Sequence, residues 1–201
     1  MKRNANMNRI AYTIFRIKGV LLKTGMRWDQ QRLSADEVDQ FAKDYLNEEP
    51  ARIYNNGAQT LEYMLSQSGS SISERLREGE GNEFDNAIVD MVRNYQTKKD
   101  IIVYRGIPSL LLDYMFKTAR GRKGIDLIDN GFMATSLVKE SDLPGDVLLR
   151  IKVPSGINAI YMGDVGYEKE KYHEVTIQCG ASLKIVSIDN EYINCELLST
   201  C

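Results

Sequence analysis

The chain has 201 residues, 43% hydrophobic and 27% charged, with a formal net charge of −2. These values are ordinary for a globular protein, allow one domain with a sizeable core, and give no global signal for nucleic acid. The three cysteines (Cys179, Cys195 and Cys201) are odd in number and form no CxxC pair, which argues for reduced thiols and against a disulfide framework. His173 is the single histidine, so no metal site of the usual zinc type is expected. No apolar run approaches the roughly 18–20 residues of a membrane span. Arg16, Lys18 and Lys23 interrupt the first apolar run, so no signal peptide is recognised.

Residues 1–28 hold seven basic and no acidic residues, with Ile10, Ile14, Ile17 and Leu21 at helical spacing. Two readings stand for this basic N-terminal segment, taken as 1–30. It docks on a membrane surface or partner, or it is a helix packed on the domain with its charges solvated. Ser34, Ala35, Asp36 and Glu37 read as a capping box. Val38, Phe41, Ala42, Tyr45 and Leu46 then mark a helix.

A second helix is predicted over 59–67. Residues 66–71, all small or polar, read as a flexible connection. A short charged helix over 73–77 follows, broken by Gly79 and Gly81. Phe84, Ile88, Met91, Val92 and Tyr95 mark an amphipathic helix. The apolar run Ile101, Ile102 and Val103 then leads into Tyr104, Arg105 and Gly106. After it, 110–119 reads as one more helix. The segment 121–124 is a basic loop without P-loop spacing. Asp129, Asn130 and Gly131 form a turn. Strands are predicted over 132–137, 147–153, 159–162, 173–178, 183–188 and 193–198.

Helices followed by about seven short strands predict an α+β fold. The expected form is N-terminal helices packed on a β core of two small, mainly antiparallel sheets. Residues 31–201 would be one domain, helical over 31–100 and β-rich over 101–201. No GxGxxG follows the first strand, so a Rossmann site has no support. Arg105 at a strand end beside Gly106 suits an anionic ligand held where helices give way to strands. Alternation puts Tyr172 and Glu174 on one strand face, and His173 and Val175 on the other. His173 therefore reads as structural.

The order of three elements carries a family resemblance: Tyr104-Arg105-Gly106, then Gly131-Phe132-Met133-Ala134-Thr135-Ser136, then Glu174-Val175 followed by Gly180. It resembles the bacterial mono-ADP-ribosyltransferases, chiefly the C3-like exoenzymes and the catalytic domains of binary actin-modifying toxins. The resemblance spans roughly residues 100–190. It implies NAD as a substrate, no metal, cleavage of the nicotinamide–ribose bond, and transfer of ADP-ribose to a protein side chain. Glu174 would be the catalytic carboxylate, stabilising an oxocarbenium-like transition state. Arg105, Gly106, Thr135 and Ser136 would bind NAD, and Tyr172 would take part in substrate recognition.

Three departures accompany the likeness. Ala134 replaces the first serine of the family's Ser-Thr-Ser, Tyr172 replaces a Glu or Gln, and the loop 138–146 has no arginine. A degenerate NAD- or partner-binding domain and an NAD glycohydrolase are the alternatives. The implied setting is a bacterial or phage protein, acting in the cytoplasm or as a delivered or secreted toxin or effector. Its partner would be a protein target, with no nucleic acid and no transmembrane segment.

Overall fold

The computed structural model describes residues 33–34, 36–46, 61–139, 145–163 and 173–201. The basic N-terminal segment and Tyr172 lie outside the described residues, as does part of the loop 138–146. Among the described residues lie four helices: α1 (Val38–Tyr45), α2 (Leu61–Glu78), α3 (Glu83–Val92) and α4 (Ser109–Thr118). The strands are β1 (Ile101–Ile107), β2 (Leu127–Asp129), β3 (Met133–Ser136), β4 (Val147–Val153), β5 (Ala159–Gly163), β6 (Glu174–Ile177), β7 (Ala181–Ile188) and β8 (Ile193–Ser199).

The expected α+β class is what forms, but the two separate sheets are replaced by one. All eight strands hydrogen-bond in the order β2-β7-β8-β4-β1-β3-β6-β5. Among the described strands, only the β4–β8 pairing is parallel. The reason lies at β1. It pairs with β4 along its whole length, from Ile101 opposite Val153 to Ile107 opposite Val147. On its other edge it meets β3 through the single register pair Tyr104–Ser136. Both halves feed one buried cluster, with Val103, Leu149, Ile151 and Leu183 from one side and Met133, Tyr161, Val175 and Ile177 from the other. The sheet thus folds over its own core at a joint one residue pair wide. Strand periodicity reports two groups of strands and is blind to so narrow a joint.

A second apolar cluster packs α2 and α3 onto the β5–β6 half. Leu61, Leu65 and Ile72 of α2 and Ile88, Val89 and Val92 of α3 meet Phe132, Ile160, Met162 and Cys179. Asn82 and Asp85 cap α3 reciprocally, each side chain accepting the other's backbone N–H at 3.0 Å. Arg75 of α2 donates to Asp85 from Nε at 2.7 Å, tying the two helices together.

Helix α2 differs from expectation. It runs unbroken for 18 residues, where the sequence suggested a helix, a flexible link and a second short helix. Serine and glycine lower local helix propensity, but burial of Leu61, Leu65 and Ile72 outweighs that deficit. On α3, Ile88 and Val92 are buried as expected, whereas Phe84 and Met91 face solvent. Strand β2 has only three residues, too few to give a periodic signal.

Candidate active site

Arg105 sits within β1, opposite Leu149 of β4, and is 6% exposed. A buried guanidinium needs a carboxylate. Asp129, the last residue of β2 and fully buried, supplies it: Arg105 Nη1 donates to Asp129 Oδ2 at 3.2 Å. The same carboxylate accepts a fork from Arg77 near the end of α2, with Nε at 2.7 Å on Oδ1 and Nη2 at 3.1 Å on Oδ2. The Gly131 amide donates to Oδ1 at 3.0 Å. One carboxylate therefore holds two arginines from different elements. Burial lowers the pKa of Arg105; Asp129 and, more weakly, Glu174 oppose that, while Arg77 adds to it. It remains a permanent cation.

The helix can come this close because of Gly131. A Cβ there would lie 2.8 Å from the Ser73 carbonyl oxygen and 2.9 Å from Arg77 Cζ. Only glycine fits between the turn after β2 and α2. Tyr114 of α4 also ties down this end of α2, its hydroxyl donating to the Arg77 carbonyl at 3.1 Å.

A cavity of about 270 Å³ opens in front of the arginines. Arg77 and Arg105 line it together with Glu174 and Thr176 of β6, Phe132 and Ala134 from the β3 region, and Leu111 of α4. Its helical wall is α2, through the small residues Ser66, Gly69, Ser70 and Ser73, with Leu65 beside them. The small positions recur at spacings of three, one and three, which is one helix face. Small side chains on that face leave the space open.

Glu174 opens β6, opposite Ser136 of β3 and Gly163 of β5. It is half-buried in the cavity wall. Burial raises its pKa above the usual carboxylate range, opposed by a hydrogen bond from Thr176 and by the charge of Arg105. Thr176 Oγ1 donates to Glu174 Oε1 at 2.7 Å. Preceding Glu174, His173 adopts a left-handed backbone with φ of 46°. Its carbonyl accepts the Leu137 amide at 3.1 Å, and its side chain is buried.

The structure therefore brings Arg105 and Glu174 to one cavity. Among the described residues, Gly106, Thr135 and Ser136 do not line it. Gly106 sits in the β1–β4 ladder opposite Leu148. Thr135 is buried on β3, and its hydroxyl donates to the Val175 carbonyl at 2.7 Å. Ser136 Oγ donates to the Val138 carbonyl at 2.8 Å and accepts the Val138 amide at 3.0 Å. Both hydroxyls hold backbone, Thr135 that of Glu174's own strand.

Sequence reasoning missed Arg77, Asp129 and Thr176. In the sequence Asp129 reads as part of a turn, and Arg77 as part of a short charged helix. Thr176 was available in principle, because strand period two places it on the Glu174 face.

The eight-stranded sheet with its packed helices has the fold of C3-like exoenzymes and binary-toxin ADP-ribosyltransferases. C3stau2 from S. aureus, solved with NAD, superposes with a TM-score of 0.63 at 18% identity, covering 85% of this chain and 98% of that one. The Clostridium limosum C3 exoenzyme gives 0.60 at 18% identity, covering 84% and 97%. BECa, an ADP-ribosylating toxin of a C. perfringens binary enterotoxin solved with NADH, gives 0.54 at 18% identity. The match covers 82% of this chain and 48% of BECa. The chain belongs to the ADP-ribosyltransferase exoenzyme family, whose profile matches residues 38–196. No curated protein sequence matches it.

Proposed function

We propose that the protein is a mono-ADP-ribosyltransferase that cleaves the nicotinamide–ribose bond of NAD and transfers ADP-ribose to a protein side chain. The observation that carries this reading is the meeting of Arg105 and Glu174 in one cavity. A fixed cation and a half-buried carboxylate in one site suit a ligand that is anionic at its phosphates and turns cationic at its ribose.

In this reading Arg105 and Arg77 hold the phosphates, as planar forks that cannot lose their charge. Asp129 fixes both forks beforehand, so little reorganisation accompanies binding. Glu174 stabilises the positive charge that develops at the ribose as the nicotinamide bond breaks. It must be ionised to do so, and Arg105 and Thr176 favour its ionised form. Thr176 supplies the hydroxyl that Ala134 lacks: the two residues are direct partners in the β3–β6 ladder. Thr135 and Ser136 act from behind, holding the backbone of β6 and of the turn after β3. Tyr172, two residues before Glu174, is assigned to recognition of the acceptor.

The test is incubation of the protein with labelled NAD and cell lysates, following both labelled protein and released nicotinamide. Transfer to a protein band that is lost in Glu174→Gln supports the assignment. Nicotinamide release without labelled protein makes the chain a glycohydrolase. Neither product at millimolar NAD makes it a binding domain, and labelling retained in Glu174→Gln removes Glu174 from the chemistry.

A further inference from the structure

Away from the cavity, two thiols far apart in sequence are brought together. Cys179 follows β6, and Cys201 lies just past β8. Their Sγ atoms are 2.7 Å apart, and both residues are free thiols. The approach is built into the backbone, since the Cys201 amide donates to the Cys179 carbonyl at 2.9 Å. Between β6 and β7, Gly180 has a φ of 72°, and a Cβ there would lie 2.8 Å from Cys201 Cβ. Glycine at 180 thus lets the two segments pass at contact distance.

The two sulfurs are unequal. Cys201 is exposed, whereas Cys179 is 6% exposed and packs in the apolar cluster beneath α2 and α3. The hydrogen bond from Cys179 pulls the Cys201 thiol down to about 6; burial opposes this, and the Arg93 side chain adds to it. The Cys179 thiol is pushed up by the same hydrogen bond and by burial. This is the asymmetry of an attacking thiolate beside a resolving thiol. Cys195 stands apart in the main core, its thiol directed at the Ile193 carbonyl at 3.8 Å.

We propose that Cys179 and Cys201 form an oxidisable dithiol site that reacts with hydrogen peroxide and closes to a disulfide in place. The Cys201 thiolate attacks one peroxide oxygen and the O–O bond breaks. The departing oxygen leaves as water after taking a proton, and the sulfur is oxidised to a sulfenic acid. The Cys179 sulfur then attacks the Cys201 sulfur, the S–OH bond breaks, and the hydroxyl leaves as water with the Cys179 proton. Two thiols and one peroxide become one disulfide and two waters. The site is independent of the NAD reading, and its failure would leave that reading untouched.

The test uses the full chain. After treatment with hydrogen peroxide and removal of excess by catalase, the protein is denatured, alkylated and weighed. The expected product is a monomer lacking two hydrogens, with only Cys195 alkylated, and dithiothreitol restores all three thiols. Three alkylated cysteines after treatment, or disulfide-linked dimers as the main product, would overturn the proposal. In Cys179→Ser, a sulfenic acid should accumulate at Cys201 and be trapped by dimedone. In Cys201→Ser, modification of Cys179 should be slower by at least about tenfold. Equal rates at the two positions would also overturn it.

Discussion

At the scale of single residues, the question is how Glu174 is held and charged. Its pKa is raised in the folded protein, chiefly by burial. The folded state therefore binds its proton more readily than the unfolded chain does, so this group costs stability as pH rises through the window above the unfolded value. Below that window the cost vanishes. Glu174→Gln should accordingly be at least as stable as the parent at neutral pH and match it at acid pH, while losing transfer by about 10²-fold or more. Thermal melts across pH, beside labelling assays, check both halves. A neutral-pH melting temperature well below the parent's would show that the carboxylate is structural.

In the proposed role Glu174 acts in its ionised form, so activity in the parent should fall as pH drops through its raised pKa. Thr176→Val removes the hydroxyl that favours that form. The acid limb should then move to higher pH, with kcat falling about 10- to 100-fold, the range expected for one hydrogen bond to a charged group. Adding Ala134→Ser to Thr176→Val returns a hydroxyl to the neighbouring strand position and should recover part of the loss. A double variant no better than the single would mean that position 134 does not reach the glutamate.

At the scale of elements, α2 serves two purposes on two faces. Leu61, Leu65 and Ile72 bury in the apolar cluster, and Ser66, Gly69, Ser70 and Ser73, with Leu65 at the border of the two faces, wall the cavity. Gly69 separates the two roles, because a Cβ there would meet nothing within 4 Å. Gly69→Ala should raise stability by about 0.5–1 kcal/mol through helix propensity. Gly69→Leu projects into the space that the small face leaves open and should raise the KM for NAD while the protein stays folded. Denaturant melts and steady-state kinetics distinguish the outcomes, and an unchanged KM would show that the ligand does not use this wall.

The same helix marks the limit of what local sequence reports. The helix over 38–46 is legible by apolar period, and the strands over 147–153 and 193–198 by short runs between turn residues. Within 66–71, Ser66, Gly69 and Ser70 are small where α2 walls the cavity, and the composition of the stretch imitates a linker. Arg105 and Glu174, which share the cavity, stand out in the sequence through the order of the motifs that hold them. Arg77 and Asp129 do not, since each looks ordinary until the fold brings α2 over the turn at Gly131.

At the scale of the whole molecule, that turn is where the helical half is fastened to the sheet. Asp129 is the clasp: a fully buried carboxylate taking Arg77 from α2 and Arg105 from β1. Asp129→Asn keeps the shape but leaves two guanidiniums facing each other with only the weaker influence of Glu174 on Arg105 as counter-charge. Breaking a buried pair in this way costs on the order of 3 kcal/mol. An anion that enters the cavity should restore the missing charge, and anything that binds only the folded state stabilises it by mass action. Inorganic diphosphate should therefore raise the melting temperature of Asp129→Asn more than that of the parent. At matched ionic strength, chloride should not. Equal shifts in the two proteins would mean that the arginines are fastened for structure alone, and that the phosphates of NAD are held elsewhere.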